Sequence, residues 1–288
     1  MKDLSKKVIV FNLTIKMWSA KKMDKKVTKE VEENHNAKDA GRFNKILIAK
    51  DGLSKLNSIA KEARDYHYEQ TLPWTDNGGR ILPATNYYEY INKQMEFKEK
   101  FEKAVDDFIA VYPALKADAQ LFLNTMFSEA DYPSVSKLRE KFDFTTEPTP
   151  IAQLDDIRIS VSQQEVDRLK QEVEKNIYKK IADSTKDMWN RIREAVEHMY
   201  QRLSDKDAKF KKSLVENVRD LVDLLPRLNF TDDPDINDAI DDMKKLLIDP
   251  DELRTNQIRR NETARNAKEL LNKISDFVSD DILNFQAA

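Results

Sequence analysis

Histidine stands at positions 35, 67 and 198 and cysteine at none. Disulfides, zinc–thiolate sites and cysteine nucleophiles are therefore excluded, and three histidines so scattered suggest no ligand cluster. His67, between Tyr66 and Tyr68 at the end of an apolar periodic stretch, is a candidate catalytic or ligand group; the plainer reading is a packed helix end. The stretch Thr71-Leu-Pro-Trp-Thr-Asp-Asn-Gly-Gly-Arg-Ile-Leu-Pro83 sets two prolines around Asn77-Gly78-Gly79, a turn signal. Trp74, Asn77, Gly78, Gly79 and Arg80 are the candidate interaction loop, since loops on rigid scaffolds carry sites. The spacing is not that of a phosphate-binding loop.

Two cationic groups could contact an anion or nucleic acid. One is the Lys-rich arm, with Lys21, Lys22, Lys25 and Lys26; nine Lys against Asp3 and Asp24 fall between Met1 and Lys29. No aromatic residue interleaves with it from 20 to 29, which weakens a single-strand-binding reading. The other is Arg254, Arg259, Arg260 and Arg265. Asp232, Asp233, Asp235, Asp238, Asp241 and Asp242 crowd one segment but lack the Gly of a calcium loop. Acidic side chains at a helix N-terminus account for them. No zinc-protease helix motif or nucleophile elbow occurs. No cofactor or metal is expected. An enzyme without a motif would show itself as a polar pocket, most plausibly near His67 and the 72–83 loop.

The elements that position these groups are mostly helical. The chain has 288 residues, 35% charged, with four Gly and a net charge of −3. This composition suits long solvated helices, and the charge sets up no global field for nucleic acid. Residues 7–18 alternate Phe11, Leu13, Ile15 and Met17 against Asn12, Thr14 and Lys16, which predicts a half-buried strand. Residues 20–35 read as a polar connection, Asn36–Lys50 as a helix, and Leu53–Tyr68 as a second helix. Thr85 is the expected N-cap of a helix to Val111 that Pro113 stops, followed by a shorter helix from Ala114 to Phe127 and another beginning at Ser134. Residues 142–151, with prolines at 148 and 150, are an extended edge segment expected to pair with 7–18.

Ser162 to Ser204 is the dominant feature. Val166, Ile177, Met188 and Met199 recur every eleven residues, as do Ile181, Ile192 and Leu203. That period is about 3.67 residues per turn, so the stripe runs nearly straight along a helix roughly 60 Å long. Ser162 and Glu165 have capping-box spacing. Ser184 and Thr185 interrupt the stripe, marking a kink or a polar contact with a neighbouring helix. A linker at 155–162 precedes this helix. Helices over Asp207–Leu225, Thr231–Ile248 and Pro250–Phe285 follow.

The succession Val8-Ile-Val-Phe-Asn-Leu-Thr-Ile-Lys-Met-Trp-Ser-Ala-Lys-Lys22, the Phe43-Asn-Lys block, the Leu-Pro-Trp…Gly-Gly-Arg-Ile-Leu-Pro loop, the Phe97–Tyr112 helix and Phe142-Asp-Phe144 resemble a bacterial and phage family known as domain of unknown function thirty-one fifty. Roughly half the chain carries the resemblance. Ala20 stands where the resemblance leads one to expect Gly. The family supplies no catalytic residues. Its members are often encoded beside a MoxR-type AAA+ ATPase and a von Willebrand A-domain protein resembling cobaltochelatase subunits.

The expected fold is mainly α, of α+β type. A helical unit with a small antiparallel sheet spans residues 1–155, and an elongated antiparallel bundle on one forty-residue helix spans 156–288. The expected function is a non-enzymatic, phage-encoded interaction or assembly protein that pairs with itself in coiled-coil fashion or docks onto a protein partner. The resemblance implies an AAA+ and von Willebrand A-domain remodelling system as that partner. Nucleic-acid binding through the Lys arm and the Arg face is the alternative. No stretch approaches eighteen apolar residues and no apolar signal core opens the chain, so the expectation is no membrane partner and a cytoplasmic location, that of the host if phage-encoded.

Overall fold

The computed structural model describes residues 4–151, 161–205 and 207–278. The chain is mainly α with a small antiparallel sheet. Its elements in order are α1 (Leu4–Lys7), β1 (Val8–Lys16), β2 (Lys21–Met23), α2 (Lys25–Asn34), β3 (Asn44–Ile46), α3 (Ser54–Gln70), β4 (Leu72–Pro73), β5 (Arg80–Pro83), α4 (Tyr87–Leu123), α5 (Val135–Arg139), β6 (Asp143–Thr149), α6 (Gln163–Ser204), α7 (Ser213–Leu228), α8 (Pro234–Lys244), α9 (Pro250–Thr255) and α10 (Gln257–Val278). Four strands form a sheet in the order β4-β5-β1-β6, and β2 pairs with β3 in a separate ribbon. The expected edge segment is thus β6, beside β1.

Two compact units interleave along the chain, where the sequence suggests one cut near 155. One comprises Met1–Asn12, His67–Tyr90 and Glu147–Ala288; the other comprises Leu13–Tyr66 and Ile91–Thr146. The expected linker from Asp155 to Ser160 and the extension of the last helix beyond 278 lie outside the described residues.

In the first unit the eleven-residue stripe is buried from Ile177 to Leu203, through Met188, Ile192, Val196 and Met199. It meets Val215, Val218, Val222 and Leu225 of α7 and Ala267, Leu270 and Ile274 of α10 in one core. Trp189 stacks on Phe277 at 4.5 Å, and Arg260 bonds the carbonyl of Leu203, so α10 runs antiparallel to α6. Ser162 accepts from the amide of Glu165, as the capping box predicts. Ser184 is fully buried and donates to the carbonyl of Pro73 at 2.6 Å, so the break in the stripe is a polar contact with β4 instead of a helix. In the sheet, Val8 to Phe11 pair with Pro83 to Arg80, and Leu72 with Ile81.

The second unit centres on the α3 and α4 faces carrying Leu56, Ala60, Ala63, Phe101, Val105 and Phe108, with Trp18 and Phe144. Pro113 does not stop α4, which runs 37 residues through it. An interior proline costs about 3 kcal/mol. Phe108 and Tyr112 before it and Ala119 after it are buried, and each large side chain returns about 1.5–3 kcal/mol on burial. Pro226 lies inside α7 in the same way, between buried Leu225 and Leu228. The expected return helix from Asp207 begins only at Ser213, because Arg260 holds the carbonyls of Asp205 and Ala208 in a loop. The expected single helix from Pro250 breaks at Asn256, whose side chain accepts from the amides of Ile258 and Arg259, both at 3.1 Å. Thr85 caps nothing; its hydroxyl donates to the carbonyl of Arg227.

Residues 20–50 differ most from expectation. The polar arm is the β2–α2 hairpin arm of a ribbon, with Asp24 as the N-cap of α2. Asn36–Lys50 is not a helix: Asn36 and Asp39 have φ of 47° and 54°, which breaks helical propagation. β3 then pairs with β2 in the register Lys21↔Ile46, Lys22↔Lys45, Met23↔Asn44.

Ala20 is buried with φ of 51°, and its carbonyl accepts from the amide of Leu47 at 2.8 Å. That left-handed conformation costs a side-chain residue about 1–2 kcal/mol. Ala20→Gly relieves this while losing one methyl, worth ~0.8 kcal/mol, and should leave stability within about 0.5 kcal/mol of the parent. Ala63→Gly, in the buried middle of α3, relieves nothing and should cost about 2 kcal/mol. Urea denaturation of the two variants checks the contrast.

Candidate functional site

The 71–83 segment is a hairpin between β4 and β5. Trp74, Ile81 and Leu82 are buried, as expected of its anchors. The tip closes on itself. The carbonyl of Gly79 accepts from the amides of Trp74 and Thr75, and the amide of Gly79 donates to the Thr75 hydroxyl at 2.8 Å. Gly78 has φ of 93°, and a Cβ on Gly79 would stand 2.5 Å from that hydroxyl. Both glycines are therefore demanded by the turn itself. Arg80 donates to the hydroxyl and carbonyl of Thr71 and lies over the Tyr68 ring at 4.8 Å; the Lys180 ammonium lies over Trp74 at 5.6 Å. Asp76, Asn77 and Gly78 alone remain exposed.

Next to the hairpin lies the C-terminus of α3. Arg191 of α6, which the sequence reading passed over, donates to the carbonyls of Tyr68, Glu69 and Thr71 at 2.8, 2.6 and 2.8 Å. A cation there meets the negative end of the helix dipole and carbonyls without intrahelical donors. His67 is 3% exposed and its Nδ1 is 2.7 Å from the Tyr90 hydroxyl. Burial, and then the charge of Arg80, push its pKa down to about 4. His67 is thus a buried neutral group in a satisfied network. An open groove lies elsewhere, over α3 and α4 of the second unit. It holds about 390 Å³ and is lined by Lys55, Ser58, Ile59, Glu62, Lys100 and Lys103. Lys55 already pairs with Asp107, and Ser58 donates to Glu62. His198 is exposed.

The Arg group does not act as one face. Arg260 is 6% exposed and donates to the carbonyls of Arg202, Leu203, Asp205 and Ala208 at the end of α6. Arg254 bonds Asp251 and the carbonyl of Phe210, and Arg259 bridges Glu252 and Glu262. Arg265 is 3.9 Å from Glu269. The carboxylate partners of Arg254, Arg259 and Arg265 are residues of α9 and α10 themselves. From the Asp-rich segment, Asp233 caps α8, while Asp242 holds Lys245 and Lys273. Among the described residues no group of three or more His, Asp or Glu is placed to hold a metal ion. Among them, too, no helix is long and apolar enough to cross a membrane.

The Lys group behaves differently. Lys21, Lys22, Lys25 and Lys26 are exposed and make no ion pair within the described residues. The element that carries them is anchored by Lys45, whose ammonium is 6% exposed. It sits 2.6 Å from Asp131 and 3.5 Å from Asp24, and donates to the carbonyl of Met126 at 2.7 Å. Burial alone would lower the Lys45 pKa, but the hydrogen bond and charge of Asp131, followed by those of Asp24, outweigh it and hold it above the ordinary value. The same element also leaves apolar side chains in the open. Met23, Phe43 and Ile46 are 38%, 40% and 41% exposed, and Val31 of α2 is 49% exposed. No residue of α2 is buried. The helix expected over 36–50 is absent here. The alternation of exposed Asn44, buried Lys45 and exposed Ile46 is that of a strand.

No family model, curated protein or solved structure matches the chain.

Two outcomes follow. Arg260→Leu orphans several buried carbonyls and should cost about 3 kcal/mol, whereas Arg265→Leu should change stability by less than ~0.5 kcal/mol; urea midpoints compare them. For His67 the folded pKa lies below the unfolded value, so the unfolded chain binds the proton first and stability falls as pH drops from about 6.5 to about 4. Relative to His67→Asn, which keeps a polar partner for Tyr90, the parent should lose roughly 3 kcal/mol across that window. Parallel pH–stability profiles for the two proteins would remove this assignment.

Proposed function

We propose that this chain is a non-enzymatic interaction protein that engages a protein partner through the β2–α2–β3 element of the second unit. One observation carries the reading: among the described residues this element keeps Lys21, Lys22, Lys25 and Lys26 without ion pairs, and it also leaves Met23, Val31, Phe43 and Ile46 in the open. The candidate hairpin and the Arg group, by contrast, spend their polar atoms on their own unit. Exposed apolar side chains rimmed by charge are the composition of docking surfaces. The resemblance described above supports a finer reading, in which the chain is an adaptor for a MoxR-type AAA+ ATPase and a von Willebrand A-domain protein, acting in the host cytoplasm if phage-encoded. Self-association belongs to the same class of function and shows in the same measurement.

The measurement is light scattering on the purified, nucleic-acid-free chain, alone and mixed with an ATPase and a von Willebrand A-domain protein of those families from the same genome. The reading expects a complex of defined mass, with either protein or with a second copy, that persists at about 0.5 M salt, where exposed charge pairs are screened. A chain that stays monomeric throughout, and binds nucleic acid with a steep loss of affinity in salt, overturns it.

A further inference from the structure

We infer that the outer face of the β2–β3 ribbon, with the first turn of α2, is a receptor for an acidic amphipathic helix of a partner protein; this deepens the protein-binding reading above and rests on it. The register fixes which side chains share a side. Residues directly opposite in an antiparallel pair point to the same face, so Lys21 stands with Ile46, and Met23 with Asn44. The inner face is committed, since Lys45 is turned in toward Asp131, Asp24 and the Met126 carbonyl. The outer face therefore presents Lys21, Met23, Asn44 and Ile46, all exposed, whereas Lys22, opposite Lys45, and Phe43, whose carbonyl accepts from the Asp24 amide, belong to the other side of the ribbon.

The rim decides the occupant. Lys21 shares that face with Met23 and Ile46, and Lys25 and Lys26 open α2 two and three residues after Met23; all three are exposed and make no ion pair among the described residues. Lys29, one turn further on, is already paired with Glu33. An apolar stripe flanked by carboxylates complements an apolar centre flanked by ammonium groups, the helix-in-groove mode of recognition. A nucleic-acid strand fits less well. Met and Ile offer no stacking face, and Phe43 is the one exposed Phe, Tyr or Trp between residues 20 and 46. The face survives changes of its side chains because its position is set by Lys45 and by the Asp24 cap, which accepts from the amides of Lys26 and Val27.

The test uses the full chain and two fluorescent probes. One is a peptide of about sixteen residues with Leu at helical spacing and Glu on the flanks; the other is an oligothymidylate of about twenty nucleotides. Anisotropy should show the peptide binding. Met23→Ser with Ile46→Ser, and separately Lys21→Glu with Lys25→Glu, should each weaken it about tenfold or more, while Arg265→Glu leaves it unchanged. Unaltered melting curves confirm that these exposed substitutions leave the fold intact. Binding of the oligonucleotide alone, or peptide binding indifferent to both double variants, overturns the inference. The same variants separate it from the broader reading: if the protein complex forms and the double variants leave it intact, this face is not the receptor and the interaction role stands. If no complex forms, the role itself falls.

Discussion

The last four carbonyls of any helix lack an intrahelical donor, and burying them without one costs about 1–3 kcal/mol each. In the first unit this constraint is met twice by an arginine reaching in from another element. Arg260 of α10 closes α6, and Arg191 of α6 closes α3 with help from Arg80 at the hairpin. A guanidinium suits the task because its donors are arranged in a planar fork and its charge complements the helix dipole. Each such contact fixes two elements at once. Arg260 sets the phase of α10 against α6 and holds the 205–208 loop, while Phe210 lies beneath it at 5.4 Å.

That constraint also governs where recognition chemistry is left over. Arginines 254, 259 and 260 look alike in sequence to a nucleic-acid surface, yet in the fold each is bonded to a carboxylate or carbonyl of its own unit. Among the described residues, Lys21, Lys22, Lys25 and Lys26 have no comparable partner. Their element is held from beneath by one buried ammonium, and Asp24 serves both as cap and as its counter-charge. The amide of Val27 is the foremost reason its carboxyl titrates below the ordinary value, a shift that burial opposes and Lys45 assists. A helix with no buried residue, held by a polar anchor, keeps its apolar side chains available to another molecule.

Packing also decides between propensity and continuity. Pro113 and Pro226 are stop signals in a sequence, and each removes an amide from its helix. Both helices continue because the side chains on either side of the proline are buried in one core. At Asn256 the chain breaks although Leu253 before it and Ala264 after it share one core, because the amide side chain accepts from the next amides and caps a new helix.

The sequence by itself determined the long helix and its stripe, the first strand, α3, the hairpin anchors Trp74, Ile81 and Leu82, and the predominance of helix. These rest on periodicity and caps, which are local and survive any arrangement of neighbours. Only the tertiary structure decided that two units interleave, that Lys45 is buried, that Ser184 meets β4, and which cations are spent. Those outcomes depend on pairing between residues far apart in the chain. Lys45 and Asp131, or Arg260 and Leu203, have no sequence relation that spacing could reveal. The 36–50 segment differs for the same reason: its apolar residues sit at helical spacing, but two left-handed residues break the helix and Lys45 is drawn to a distant carboxylate, so that Asn44–Ile46 pairs as a strand.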